Sequence, residues 1–130
     1  MTQTPPGERS PHVLASFQFA IQGCWETVCT QRNMRLHVFA AALVLLAAWW
    51  LGVSPIEWGL LVVVIGLVLA AELVNTAIEI AIDLSCPEWN PLARRAKDAA
   101  AGAVLVTALV AVVVGGLVFL PRLQDVLTLR

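Results

Sequence analysis

Residues 58–83 read WGLLVVVIGLVLAAELVNTAIEIAID, and the fold turns on this stretch. Its first half is unbroken apolar chain. The whole is long enough to cross about 30 Å of hydrocarbon as a helix. Glu72, Asn75 and Glu79 interrupt the second half. A charged side chain at bilayer depth costs about 3 kcal/mol on insertion scales. Two in one span require a compensating use. At 3.6 residues per turn, the offsets from Glu72 to Asn75 and Glu79 place all three on one stripe, and Asp83 extends it to the end of the span. The stripe reads as the polar face of a catalytic or transport site between membrane helices. Asp83 itself reads as a helix-end or loop-anchoring group rather than a catalyst.

The rest of the chain agrees with a membrane setting. Of its 130 residues, 59% are hydrophobic and 13% charged, against about 25% charged in a soluble domain. The net charge of −1 gives no clustered basic surface for nucleic acid. One small domain is expected over residues 12–123, with residues 1–11 a disordered lead and 124–130 a tail. The lead has no apolar stretch after a basic start, so it does not read as a signal peptide. Cys24, Cys29 and Cys86 are odd in number and lack metal-ligand spacing, which points to reduced, structural thiols.

Residues 12–35 mix Phe17, Ala20, Ile21, Cys24 and Val28 at helical intervals with Gln18, Gln22, Glu26 and Arg32. This pattern predicts an amphipathic helix on a membrane surface or against other helices. Residues 36–56 are an uncharged run that predicts span one, ended by Gly52, Ser54 and Pro55, with Trp49, Trp50 and Trp58 at an interfacial belt. His37 reads as a packing residue at the membrane edge. Residues 58–82 are span two. A loop from Ser85 to Asn90 follows, and Asn90-Pro91 predicts a helix cap with proline at the first helical position. Span three is expected over 91–121, its wholly uncharged part running from Ala99 to Pro121. Ala99 to Ala103 form a patch of small residues that lets backbones approach. The expected fold is an all-α membrane protein.

Arginine and lysine placement predicts the topology. Arg9, Arg32, Arg35, Arg94, Arg95 and Lys97 lie before span one or between spans two and three; Arg122 and Arg130 lie at the other end. The N-terminus and the second loop are then cytoplasmic. Glu72, Glu79 and Lys97 approach that face, where ATP is found. Paired carboxylates can bind a divalent cation or carry a proton. Lys97 and Asp98 at the adjoining helix entrance add a cation for phosphates and a second polar group, the parts phosphoryl transfer uses. No phosphate-cradling glycine loop is present. A proton-coupled transporter using Glu72 and Glu79, or a structural subunit whose polar stripe fixes oligomer register, are the competing readings. Neither needs Lys97 and Asp98 beside the carboxylates.

The Glu72-Leu73-Val74-Asn75-Thr76-Ala77-Ile78-Glu79 block and the Ala96-Lys97-Asp98-Ala99-Ala100-Ala101-Gly102-Ala103-Val104 block, at their separation, resemble the bacterial integral-membrane diacylglycerol kinase family. Ser16-Phe17, Ala20, Gly23 and Gln31 to His37 fit its first segment. Among the family's branches, Gly23 to Thr27, Asn90 to Ala93 and Phe119 to Leu123 look most like the Gram-positive type that phosphorylates undecaprenol. The resemblance implies a homotrimer in the plasma (inner) membrane, each chain with three membrane helices and a surface helix. It implies Mg²⁺-ATP as donor and a lipid alcohol, undecaprenol or diacylglycerol, as acceptor. It implies Glu72 as general base, with Asn75 orienting the base or the lipid hydroxyl. Glu79 and Gln31 fall at metal-ligand positions. Phe19, Glu79, Glu88, Trp89, Asn90, Lys97 and Asp98 fall at nucleotide-contacting positions. His12, Ser16 and Arg35, with Glu72, fall on the lipid side. Two positions depart from the pattern. Gln31 stands where a glutamate is expected, so it offers an oxygen without charge, and Glu26 or the ATP phosphates must supply more of the coordination. His12 stands where an arginine is common, with Arg9 nearby as a substitute.

Overall fold

The computed structural model describes residues 13–128 and consists of four helices: α1 (Val13–Thr30), α2 (Arg32–Leu51), α3 (Pro55–Ser85) and α4 (Pro91–Thr128). Among the described residues there is no strand. Helices α2, α3 and α4 are each long and apolar enough to cross a membrane. The three spans are thus where the apolar runs put them. The lead at residues 1–11, His12 and the last two residues lie outside the described residues.

Local chemistry sets the joints. Helix α2 stops at Gly52, whose backbone is left-handed at φ 61°, a conformation glycine adopts without steric cost. The Val53 amide donates to the Ala48 carbonyl at 3.2 Å, the long bond of a Schellman cap, and Val53 packs on Ala48 below it. Ser54 then opens α3 with a capping box. Its amide donates to Glu57 Oε2 at 2.6 Å and its Oγ accepts from the Glu57 amide at 3.4 Å. At the start of α4, Asn90 Oδ1 accepts from the amides of Leu92 and Ala93 at 2.8 and 3.4 Å. This is the cap expected from Asn90-Pro91.

The joint between spans one and two comes earlier than expected, with α2 ending at Leu51 rather than 56 and α3 running from Pro55 to Ser85 rather than 58–82, and two further boundaries differ. The first helix ends at Thr30, and Gln31 alone is extended (φ −95°, ψ 121°) before α2 begins at Arg32. Arg32 and Arg35 therefore belong to the first turn of a spanning helix. The second difference is α4, which passes Pro121 and continues to Thr128. Proline removes one backbone donor and strains the preceding turn. Here Arg122, the next residue, donates through Nη2 to Glu57 Oε2 at 2.7 Å. That half-exposed pair adds little stability, and it ties the end of α4 to the beginning of α3.

Helices α3 and α4 form an antiparallel hairpin, with α2 against both and α1 lying across α2 and α3. At the Glu57–Arg122 end the bundle closes on an apolar cluster of Ala48, Val53, Leu61 and Val118, flanked by Trp58 and Phe119. His37 lines an apolar groove between α2, α3 and α4, in keeping with a packing role. At the other end α3 hands over to the loop and α4, and there Thr27, Glu72, Asn75 and Thr76 are buried beside Met34 and Val104. Along α3 at 1.5 Å per residue, Glu57 and Asp83 are about 39 Å apart. They therefore bracket a hydrocarbon layer of about 30 Å.

Candidate functional site

Helix α3 carries the polar stripe into the bundle. Glu72 is 2% exposed, Asn75 7% and Thr76 5%. Among the described residues no hydrogen bond or ion pair engages the Glu72 carboxyl. A glutamate this deep in the bundle with no partner in its own chain is a candidate for function rather than packing. One turn on, Asn75 Nδ2 donates to Glu79 Oε1 at 3.0 Å. The amide thereby fixes the half-buried Glu79 side chain. Its other end is unsatisfied: Asn75 Oδ1 is buried and has no partner. A carbonyl oxygen left this way costs about 1–3 kcal/mol, so it stands ready to accept a hydrogen bond.

The second part of the site is a cleft of about 420 Å³ at the turn from α3 to α4, within the size range of small-ligand pockets. Asp83 from α3 lines one wall. Cys86, Glu88, Trp89 and Asn90 supply the loop, and Arg94, Lys97 and Asp98 the α4 wall. The Cys86 thiol donates to the Glu88 carbonyl oxygen at 3.6 Å within this loop. Trp89 is exposed at the rim. Lys97 Nζ donates to Asp83 Oδ1 across the two helices. Arg94 Nε approaches Asp98 Oδ2 at 3.7 Å, with both side chains exposed. The start of α4 also faces this cleft, so its helix dipole favours negative charge there.

Five of the residues expected to contact nucleotide (Glu88, Trp89, Asn90, Lys97 and Asp98) thus line one cleft. Glu79 lies one helical turn deeper than Asp83. Phe19 is elsewhere, in a groove of about 550 Å³ between α1 and α3 with Glu26, Thr27, Thr30 and Thr76. Ser16 and Arg35 are exposed on α1 and α2, and His12 is outside the described residues. Gln31 is half-buried at the α1–α2 joint and makes no side-chain cap. Among the described residues, no three His, Cys, Asp or Glu side chains gather as a metal cluster. Glu79 and Gln31 each offer a hard oxygen of the kind Mg²⁺ accepts.

The sequence reading passed over Thr27 and Thr76. Thr76 Oγ1 donates to the Glu72 carbonyl at 2.9 Å and Thr27 Oγ1 to the Gly23 carbonyl at 2.8 Å. Both are buried and give the α1–α3 groove hydroxyl walls. The available signal was a threonine beside Asn75 in an otherwise apolar span.

The sequence model of a family described as prokaryotic diacylglycerol kinase matches residues 18–119. The undecaprenol kinase of Bacillus subtilis (strain 168) is 46% identical over 108 residues, covering 83% of this chain and 88% of that protein. The diacylglycerol kinase of Synechocystis sp. is 41% identical over 119 residues, covering 91% of this chain and 68% of that protein. The diacylglycerol kinase of Haemophilus influenzae is 30% identical over 109 residues, covering 83% and 92% respectively.

Proposed function

The chain belongs to the prokaryotic diacylglycerol kinase family, and on that premise we propose that it is a membrane lipid kinase moving the ATP γ-phosphoryl group onto a lipid alcohol. The observation that carries the reading is the juxtaposition on one hairpin of a buried acidic stripe and a charged cleft at the turn. The stripe suits an acceptor delivered from the bilayer; the cleft suits a phosphorylated, water-borne donor. A transporter or a purely structural subunit would leave the cleft's Lys97 and its neighbours without a use.

In this reading Glu72 takes the proton of the lipid hydroxyl as its oxygen attacks the γ-phosphorus. The new bond joins lipid oxygen to phosphorus, and the bond to the β-phosphate oxygen breaks, releasing ADP. Asn75 holds Glu79 through Nδ2 and, one turn from Glu72, orients the base. Lys97 neutralises charge on the phosphates, and Asp98 meets the sugar or base. Glu79 and Gln31 would hold Mg²⁺, which supplies charge neutralisation on the phosphates. Helix α1 lies at the inner membrane surface, with its Ser16 and the Arg35 of the first turns of α2 toward the lipid. The N-terminus and the Ser85–Asn90 loop are cytoplasmic. The lipid tail stays in the bilayer and needs no pocket of its own.

A homotrimer completes the site. Gly102, within the small-residue patch on α4, has nothing within 4 Å of where a Cβ would stand in one chain. Membrane helices associate through such faces, and a second copy packed there would enclose the cleft further.

Undecaprenol is the preferred acceptor, because the undecaprenol kinase of Bacillus subtilis shares 46% identity over 88% of its length. Purified protein in detergent with labelled ATP, a magnesium series, and undecaprenol or dioleoylglycerol in parallel tests both points. Label in undecaprenol at the higher kcat/KM is expected. Label only in dioleoylglycerol overturns the acceptor, and label in neither overturns the function.

Gln31 makes a second test. Gln31→Glu adds the missing carboxylate, and the magnesium concentration giving half-maximal rate should fall by about tenfold. An unchanged magnesium titration removes Gln31 from the metal site.

A further inference from the structure

Lys97 is held by the opposite helix. Its ammonium donates to the Asp83 carboxylate across the α3–α4 turn, whereas Arg94 pairs with Asp98 on its own helix. Among the described residues of the cleft, Lys97 is therefore the cation tied to α3. Asp83 stands one turn beyond Glu79 on the stripe that carries Glu72 and Asn75. The pair is too exposed to matter much for folding: the side chains are 33% and 66% exposed, and pairs of that kind add little stability. Its effect is on direction. A lysine ammonium is a point charge on a flexible four-carbon stem, and without a tether it samples the whole mouth of the cleft.

We propose that Asp83 is a positioning residue for phosphoryl transfer, holding the Lys97 ammonium toward α3 so that it meets the transferring phosphoryl group. The inference rests on the lipid-kinase reading and on Lys97 facing the phosphates. The ammonium has three donors, so one can stay on Asp83 while others reach phosphate oxygens. Asp83 also brings negative charge close to those phosphates, which opposes ground-state binding of ATP. Its removal therefore leaves the KM for Mg²⁺-ATP unchanged or lower, while kcat falls because Lys97 is no longer aimed. Loss of Lys97 itself does something different: it weakens binding and catalysis together.

The test uses the full chain in detergent, with the lipid alcohol that accepts label, and compares wild type with Asp83→Asn, Asp83→Glu, Lys97→Gln and the Asp83→Asn/Lys97→Gln double variant, each normalised to folded protein. Asp83→Asn should lower kcat about tenfold without raising the KM for ATP. In the Lys97→Gln background the same change should cost less than about twofold, because a positioning group has nothing left to position. Asp83→Glu should recover most of kcat, since its carboxylate still reaches the ammonium. Wild-type kcat in Asp83→Asn, a raised KM, or a full tenfold loss added to Lys97→Gln overturns the proposal. If Asp83→Asn does not assemble, Asp83→Glu decides: kcat within about threefold of wild type supports the tether, and a loss as deep as that of Lys97→Gln defeats it. Wild-type protein that labels no lipid defeats the kinase reading itself, a result distinct from every variant outcome.

Discussion

Glu72→Gln lowers the kcat for lipid phosphorylation by about a thousandfold, with the yield of folded protein in the membrane unchanged. Glutamine keeps the volume and removes the charge, and Glu72 is 2% exposed with no in-chain partner for its carboxyl among the described residues. The substitution deletes no ion pair within the chain. Stability should hold while the proton acceptor disappears. The measurement is initial rate of label transfer at saturating ATP and lipid, beside the thermal unfolding midpoint of the same preparation. A Glu72→Gln protein that keeps full lipid-dependent turnover refutes the base assignment. A protein that loses activity together with its folded population would move Glu72 from chemistry to architecture.

Glu79→Gln lowers kcat/KM for Mg²⁺-ATP by about a hundredfold and raises the magnesium concentration needed for half-maximal rate by about tenfold or more. Two losses combine in this variant. The proposed metal site loses its charged donor, since Gln31 is neutral. The Asn75 amide, which donates to Glu79 Oε1 at 3.0 Å, also faces a neutral amide in place of a carboxylate and orients it less firmly. A magnesium titration at fixed ATP separates the effects: excess metal should recover part of the rate, and the orientation defect should persist. Coincident titrations for variant and wild type would remove Glu79 from the metal site.

The elements whose signals are local were legible in the sequence. Residues 36–56, 58–82 and the run from Ala99 each contain enough apolar chain to span, and each falls on a spanning helix, the first only as far as Leu51. Asn90-Pro91 caps α4 as its chemistry requires. The stripe through Glu72, Asn75 and Glu79 needed only the helical period, and Asn75 does reach Glu79. What the sequence could not show depends on partners far away along the chain. Gln31 breaks the helix without proline or glycine, so no breaker announced it. Helix α4 outlasts Pro121 beside an ion pair between residues 65 positions apart. Asp83 looked like a helix-end group because its partner, Lys97, is reached only once α4 folds back. Phe19 lies against α3 in one chain, and periodicity alone carries no information about which neighbour a surface helix will meet.

The hairpin of α3 and α4 is stapled twice, by Glu57 with Arg122 at one rim and Asp83 with Lys97 at the other. Sliding one helix along the other would break the packing of α3 on α4, the broadest in the bundle, and the two exposed pairs mark its register rather than hold it. A thicker or thinner bilayer is then met by leaning the whole hairpin as a rigid ruler. The axial separation between the acidic stripe and the charged cleft stays constant as membrane composition changes, and any opening needed for turnover falls to the loop and to α1.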